Sequence, residues 1–219
     1  MPRKARVVVP DYPHHVTQRG VRRQTVFLHP DDWPVYKLLI ARACARAATR
    51  VLAYCLMPNH VHFVMVPAHV DGLRGALADP HRRYAMRVNA REGWTGHLWQ
   101  ERFYSVVLDA PHLIAAVGYV ERNPVRAGLC DSEQDWPWSS AGERAAAGPL
   151  LVDHELRQRL WPCSPPDTAS VLCAEEASLR KHTRSGQPLG SEAFVERLEV
   201  WIGRSLRPRR PGPKPESSA

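Results

Sequence analysis

The 219-residue chain contains no apolar run near the roughly 20 residues that cross a bilayer, so no membrane span is expected. Its apolar stretch nearest the N-terminus, Val7-Val8-Val9, stops at Pro10-Asp11. That is too short for the core of a secretory signal, and a cytoplasmic location follows by default. Cysteine is sparse and unpatterned. Cys44, Cys55, Cys130, Cys163 and Cys173 are odd in number and show no CxxC spacing. Neither a disulfide framework nor a zinc finger fits them, and none stands in an activating motif. No glycine-rich loop suited to cradling a triphosphate is present, so no nucleotide cofactor is expected. No internal repeat occurs. Acidic residues are outnumbered, 22 against 30 Lys and Arg, for a net charge of +8. The excess is mostly arginine, whose planar fork grips phosphate and stacks on bases. That balance favours a polyanionic partner, with nucleic acid first among them.

What is there divides near residue 140. Residues 1–13 are basic and interrupted by proline, and read as a loosely held arm. His14 to Arg19 fits a short strand with an unusually polar face, ended by Gly20. Residues 31–49 carry Val35, Leu38, Leu39, Ala43 and Ala47 at helical spacing behind an acidic first turn. Val51 to Met57 and His60 to Val66 fit two strands of a hairpin joined at Pro58-Asn59. Residues 71–91 fit a second helix that Asp79-Pro80 is expected to break or kink. Phe103 to Leu108 fits a fourth strand. Residues 111–127 fit a helix with Pro111 in its first turn and Gly128 just after it. The order predicts an α+β fold, a ferredoxin-like antiparallel sheet with helices on one face. Residues 1–140 form this domain. Residues 141–219 form a C-terminal helical and basic extension: linker-like stretches at 145–149 and 164–166, a short helix near 191–203 capped by Ser191, and a flexible Arg/Pro tail. In that helix Phe194, Leu198 and Trp201 fall on one stripe.

Two pairs of residues carry chemistry. His60 and His62 are two apart in a strand, so both imidazoles project from one face while Val61, Phe63 and Met65 enter the core. Such a pair can hold a metal, although two histidines on a strand more often serve as polar surface. Tyr119 and Asn123 are four apart on the last helix and share a side of it, beside Arg122 and Arg126. Leu113, Ala116, Val117 and Val120 form the neighbouring packing stripe. Pro124 disfavours helical geometry at Asn123 and is expected to bend or end the helix there. A tyrosine hydroxyl can attack a phosphodiester and conserve the bond energy as phosphotyrosine. A divalent ion on two imidazoles and an amide oxygen would offset the developing charge.

These residues also carry a resemblance. Met57-Pro58-Asn59-His60-Val61-His62-Phe63 resembles the histidine–hydrophobic–histidine (HUH) motif of single-strand DNA transposases. Gly96 to Phe103, and Tyr119 to Leu129 with Asn123-Pro124 inside it, resemble the REP-associated tyrosine transposases. Pro13 to Gly20 and Trp136 to Ser140 fit the same family, so the likeness spans roughly residues 5 to 140. The resemblance implies Tyr119 as nucleophile, and His60, His62 and Asn123 as ligands of Mg2+ or Mn2+. It also implies cleavage and rejoining of single-stranded DNA at or near palindromic REP-like hairpins through a 5′-phosphotyrosine. Two imidazoles suit manganese better than magnesium. Arg19, Arg22, Arg23, Arg83, Arg87, Arg102, Arg122 and Arg126 are the expected DNA contacts, although Arg83 and Arg87 also read as an ordinary solvated helix face. A monomer is expected, with a dimer that exchanges the tyrosine helix as the alternative. Two other functions stay open: a relaxase or replication-initiator nickase, and a non-catalytic regulator that binds hairpin DNA.

Overall fold

Strand β1 (His14–Arg19) is polar by sequence, yet it lies inside the sheet and is mostly buried. The computed structural model describes residues 5–145, 151–160 and 168–206. After β1 come α1 (Asp32–Arg46), β2 (Thr49–Met57), β3 (His60–Pro67), α2 (Gly72–Glu92) and β4 (Tyr104–Val107). The four strands pair antiparallel in the order β2-β3-β1-β4, the ferredoxin-like order that the sequence predicts. Alternation sorts the side chains. Val16, Val61, Phe63 and Met65 meet Tyr36 and Ile40 of α1 and Leu73, Leu77 and Tyr84 of α2 in one core.

Further along the chain come α3 (Ala110–Glu121), the short α4 (Asn123–Arg126), α5 (Ser140–Ala145), α6 (His154–Leu160), α7 (Thr168–Ser185) and α8 (Glu192–Ile202). Of these, α3, α6 and α7 cover the other face of the sheet, while α8 packs on Val107 with Val7 and Val9. Leu113, Ala116, Val117 and Val120 of α3 pack on Leu52, Val64, Val66 and Val106, with Leu156 of α6 and Leu179 of α7 beside them. Among the described residues no helix is long and apolar enough to cross a membrane.

Three local expectations change. Pro80 does not end α2, which runs from Gly72 to Glu92 around it. Losing one ladder bond costs about 3 kcal/mol, and burial of Leu73, Leu77, Tyr84 and Val88 on both sides of Pro80 outweighs it. In α8 the stripe runs through Phe194, Leu198 and Ile202, while Trp201 is 55% exposed. Steps of four keep residues on one face, and Trp201 falls a residue short of that row. Val7 and Val9 of the N-terminal arm are buried against Phe194 and Leu198, so this part of the arm is fastened. Helices α6 and α7 are elements that the sequence reading leaves unassigned. Residues 146–149 and 164–166 of the linker-like stretches, and the tail beyond 206, lie outside the described residues.

Two fully buried histidines make the fold acid-sensitive. The Nδ1–H of His14 donates to the Tyr12 carbonyl at 2.8 Å, and its Nε2 accepts from the Val9 amide at 3.1 Å. His81 Nε2 lies 2.8 Å from the Tyr36 hydroxyl. Burial pulls His14 down to about 4, against the opposing Tyr12 bond, and His81 down to about 3. Both rings are therefore neutral when folded and take up a proton near pH 6.5 only when unfolded. The stability this contributes is full above pH 6.5 and falls as the pH drops, by about 2 kcal/mol for each ring at pH 5. The urea midpoint should be clearly lower at pH 5 than at pH 8, with His81 still neutral by NMR at pH 5. Equal midpoints, or a protonated His81 in the folded protein, would contradict this reading.

Candidate active site

The register of β1 on β3 builds the floor of the site. Arg19 lies opposite His60 and Thr17 opposite His62, with Met57 and Cys55 beyond them on β2. His15 is two residues before Thr17 and shares its face. A close approach holds the rim: a side chain at Gly20 would meet the Gln24 carbonyl at 2.4 Å, so the turn after Arg19 accepts only glycine. Arg22 and Arg23 follow with φ of 51° and 62°, left-handed values that non-glycine residues rarely adopt. Asn59 fastens this turn by donating Nδ2 to the Arg23 carbonyl at 3.0 Å.

Helix α3 lowers the tyrosine onto this floor. Asp109 caps it by accepting the His112 amide at 3.1 Å, and Pro111 sits in the first turn as expected. Tyr119 is only 5% exposed. Its ring stands edge-on to His62 with centroids 5.5 Å apart, and to His15 at 5.7 Å. The helix breaks at Arg122, and Asn123-Pro124 opens α4, so the proline ends α3 as the sequence predicts. Asn123 still reaches back, its Nδ2 donating to the Tyr119 carbonyl at 2.9 Å. Its amide nitrogen is thus used within the helix, and its oxygen is left to the cavity. Two residues past Tyr119, buried Glu121 accepts from the Ser140 hydroxyl at 2.7 Å and from Arg157 Nη1 at 2.8 Å. These bonds tie the end of the tyrosine helix to α5 and α6.

Between floor and helix lies a cavity of about 760 Å3. His60, His62, Tyr119 and Asn123 all line it. Arg19, Arg23, Arg126, Arg180 and Arg184 line it too, and among the described residues no carboxylate does. Arg126 lies over the Tyr119 ring at 4.9 Å, and Arg180 Nε donates to the Tyr119 hydroxyl at 3.3 Å. The guanidinium of Arg19 is held below its ordinary value by burial, then by Arg23 and Arg184. This mutual repulsion is relieved by an anion. Burial first, and Arg19 second, bring His60 down to about 4. Burial, then His60, His15 and the nearby arginines, hold His62 well below the usual imidazole value. Both rings are neutral and keep lone pairs for a ligand. His60 Nδ1 is engaged by the Asn59 side chain at 2.6 Å and His62 Nδ1 by His15 Nε2 at 3.0 Å. In each ring Nε2 is the nitrogen left over.

Of the arginines expected at DNA, Arg19, Arg23 and Arg126 come together here. Arg22 lines a shallow depression with Trp94 and His97, and Arg102 another with Arg6 and Phe103. Arg83 lies near Asp79 on α2 at 3.9 Å, and neither Arg87 nor Arg122 lines the cavity. Sequence reasoning missed His15, Arg180, Thr183 and Arg184. For His15 the signal was its place in the alternation with Thr17 and Arg19. For the other three it was the run of helix formers from Ala174 to Lys181, closed by Gly186 at φ 70°.

Residues 8–123 match the family model described as Transposase IS200 like. A REP-associated tyrosine transposase of Haemophilus influenzae is 24% identical over 110 residues, which are 45% of this chain and 62% of the relative. The chain thus spans under two thirds of that relative's length. A solved REP-associated tyrosine transposase bound to a REP hairpin shares the fold, with a TM-score of 0.54 and 18% identity. That match covers 78% of this chain and 94% of the other.

The anchor of the tyrosine helix is testable apart from chemistry. Arg157→Met removes a cation that is hydrogen-bonded to the buried Glu121 carboxylate. It should lower the unfolding free energy by about 2 kcal/mol, because a hydrogen bond to a buried charged group is costly to lose. A urea midpoint unchanged in Arg157→Met would show that this contact does not hold the helix.

Proposed function

Because the chain belongs to the family of IS200-like transposases, we propose that it cleaves and rejoins single-stranded DNA with Tyr119 as its nucleophile. Its substrate is DNA at or near palindromic, REP-like hairpins, and its cofactor is Mg2+ or Mn2+ held by His60, His62 and Asn123. One observation carries this reading. A phenol, two neutral imidazoles and an amide line a single cavity rimmed by arginines, with no carboxylate among the described residues that line it.

The donor set fits a divalent ion. Both histidines have Nδ1 occupied and Nε2 available, and the Asn123 nitrogen is bound within its own helix. Asn123 lines the same cavity as the two histidines and offers its amide oxygen as the third donor. Imidazole ligands make manganese the better fit, while open positions for phosphate and water keep magnesium possible. A bound ion supplies Lewis-acid polarisation of the phosphoryl oxygens.

The chain's own groups do the rest. Tyr119 Oη attacks phosphorus and the bond to the 3′ oxygen breaks. The phenol loses its proton and the departing oxygen gains one, giving a 5′-phosphotyrosine and a free 3′-OH. A second 3′-OH reverses the step and joins strands, with no nucleotide consumed. Arg180, already at the Tyr119 hydroxyl, faces the oxygen where charge changes. Arg19, Arg23 and Arg184 are placed to hold the strand. The hairpin preference draws on the relatives, one of which carries a REP hairpin in its solved structure. All of these groups come from one copy of the chain, which supports a monomer acting in cis.

End-labelled single strands bearing REP-like hairpins, incubated with Mn2+ or Mg2+, should give a protease-sensitive covalent adduct on a denaturing gel. Tyr119→Phe should abolish it while retaining binding, and His62→Ala should reduce cleavage at least about 100-fold. Tight binding with no adduct on any hairpin, with either metal, would turn the reading to a hairpin-binding regulator.

A further inference from the structure

A chain of hydrogen bonds starts at a main-chain carbonyl of α7 and ends at His62. The Thr183 hydroxyl donates to the Leu179 carbonyl at 2.7 Å. Its only proton is thereby used, so toward His15 Nδ1, 2.8 Å away, it can act only as acceptor. His15 must then carry its proton on Nδ1 and present a lone pair at Nε2. That lone pair lies 3.0 Å from His62 Nδ1, which must in turn carry the proton of His62. The two rings are within 12° of parallel with centroids 5.2 Å apart, as an in-plane hydrogen bond between imidazoles requires. The series leaves His62 Nε2 unprotonated. His15 and Thr183 are both buried, at 2% and 3% exposure, so water does not compete for these bonds.

We infer that His15 and Thr183 are positioning residues that set the tautomer and orientation of His62, so that helix α7 of the C-terminal extension prepares the ligand nitrogen on β3. This inference rests on the metal-binding reading above for its purpose, although not for its geometry. A ligating histidine usually donates its second nitrogen to a carboxylate or carbonyl. Here the carbonyl acts through two intermediates. Each link is neutral, which keeps negative charge out of a cavity built for phosphate. The direction of the series is set at one end, by Leu179, because a carbonyl can only accept. His60 has a parallel arrangement of one link. Asn59 donates to the Arg23 carbonyl, so its oxygen receives the His60 Nδ1 proton.

The test is the two-bond 1H–15N spectrum of the metal-free, full-length protein labelled in its histidine rings, with manganese affinity measured alongside. Wild type should show His15 and His62 both protonated at Nδ1. Thr183→Val removes the acceptor. His15 should then move its proton to Nε2, and His62 should follow, so both rings change together although only one touches residue 183. Manganese should bind about 10-fold more weakly, in the range for loss of a group that orients a ligand. Thr183→Ser keeps the hydroxyl and should restore both the spectrum and the affinity. A wild-type His62 protonated at Nε2 would overturn the inference. So would Thr183→Val with an unchanged His62 spectrum and unchanged affinity. The expected tautomers in a wild type that binds no manganese would support the relay while defeating the metal reading.

Discussion

The antiparallel pairing of β1 with β3 is the constraint on which the site depends. It places Arg19 against His60 and Thr17 against His62, and puts His15 one step further along the same face. A slip by one residue would turn all of these to the opposite side, where α1 and α2 pack. The apolar residues guard against that slip. Val16, Val61, Phe63 and Met65 alternate with the functional side chains and are buried in the opposite core. The same strands are thus held in register by one face and do chemistry with the other. This is why a polar strand can occupy the middle of a sheet. Its two histidines are satisfied from outside, His15 by Thr183 and His14 by the Tyr12 and Val9 main chain.

Covering the chemical face is a separate problem. The two helices within the sheet motif both lie on the far side. The near side is closed by α3, α6 and α7, all of which come after β4. The tyrosine is therefore carried on a lid, not on the floor, and the lid needs anchors. Glu121 supplies one by joining α3 to Ser140 and Arg157. Asn123 supplies another by spanning the break that Pro124 imposes. The proline removes a helical donor, and the asparagine amide bridges back to the Tyr119 carbonyl across that gap. Helix end, proposed nucleophile and proposed third donor are thus one local construction.

How much of this was legible depended on whether the signal was periodic or tertiary. Strand alternation placed His60 and His62 together, and helical spacing placed Tyr119 with Asn123. Both patterns are properties of the backbone and survive folding. Pro80 misled because packing overrode local preference. Helix α2 continues through its proline because its core face is buried on both sides. Helix α7 escapes the sequence reading because its sequence is polar, yet that polarity is its contribution: Arg180, Thr183 and Arg184 all line the cavity. Nothing in the spacing of His15 and Thr183, 168 residues apart, announces a contact. Only the folded sheet brings them together.

Among the described residues that line the cavity, none is a carboxylate, and the arrangement accounts for this. A site that grips a polyanion gains from every positive group, and a nearby Asp or Glu would repel the strand it must hold. Yet ligand histidines need partners that fix their second nitrogen, and carboxylates are the usual ones. Main-chain carbonyls resolve the conflict, because they accept a proton without carrying a full charge. One is reached through Asn59 and the other through His15 and Thr183. Neutral partners do not pull protons onto the imidazoles, so burial first, and the positive charge of neighbouring arginines after it, keep both rings uncharged. The consequence is a division of charge within one cavity. The groups that orient the imidazoles are neutral, the groups placed to hold a strand are cationic, and Tyr119, the proposed nucleophile, lies between Arg126 and Arg180, where the two sets meet.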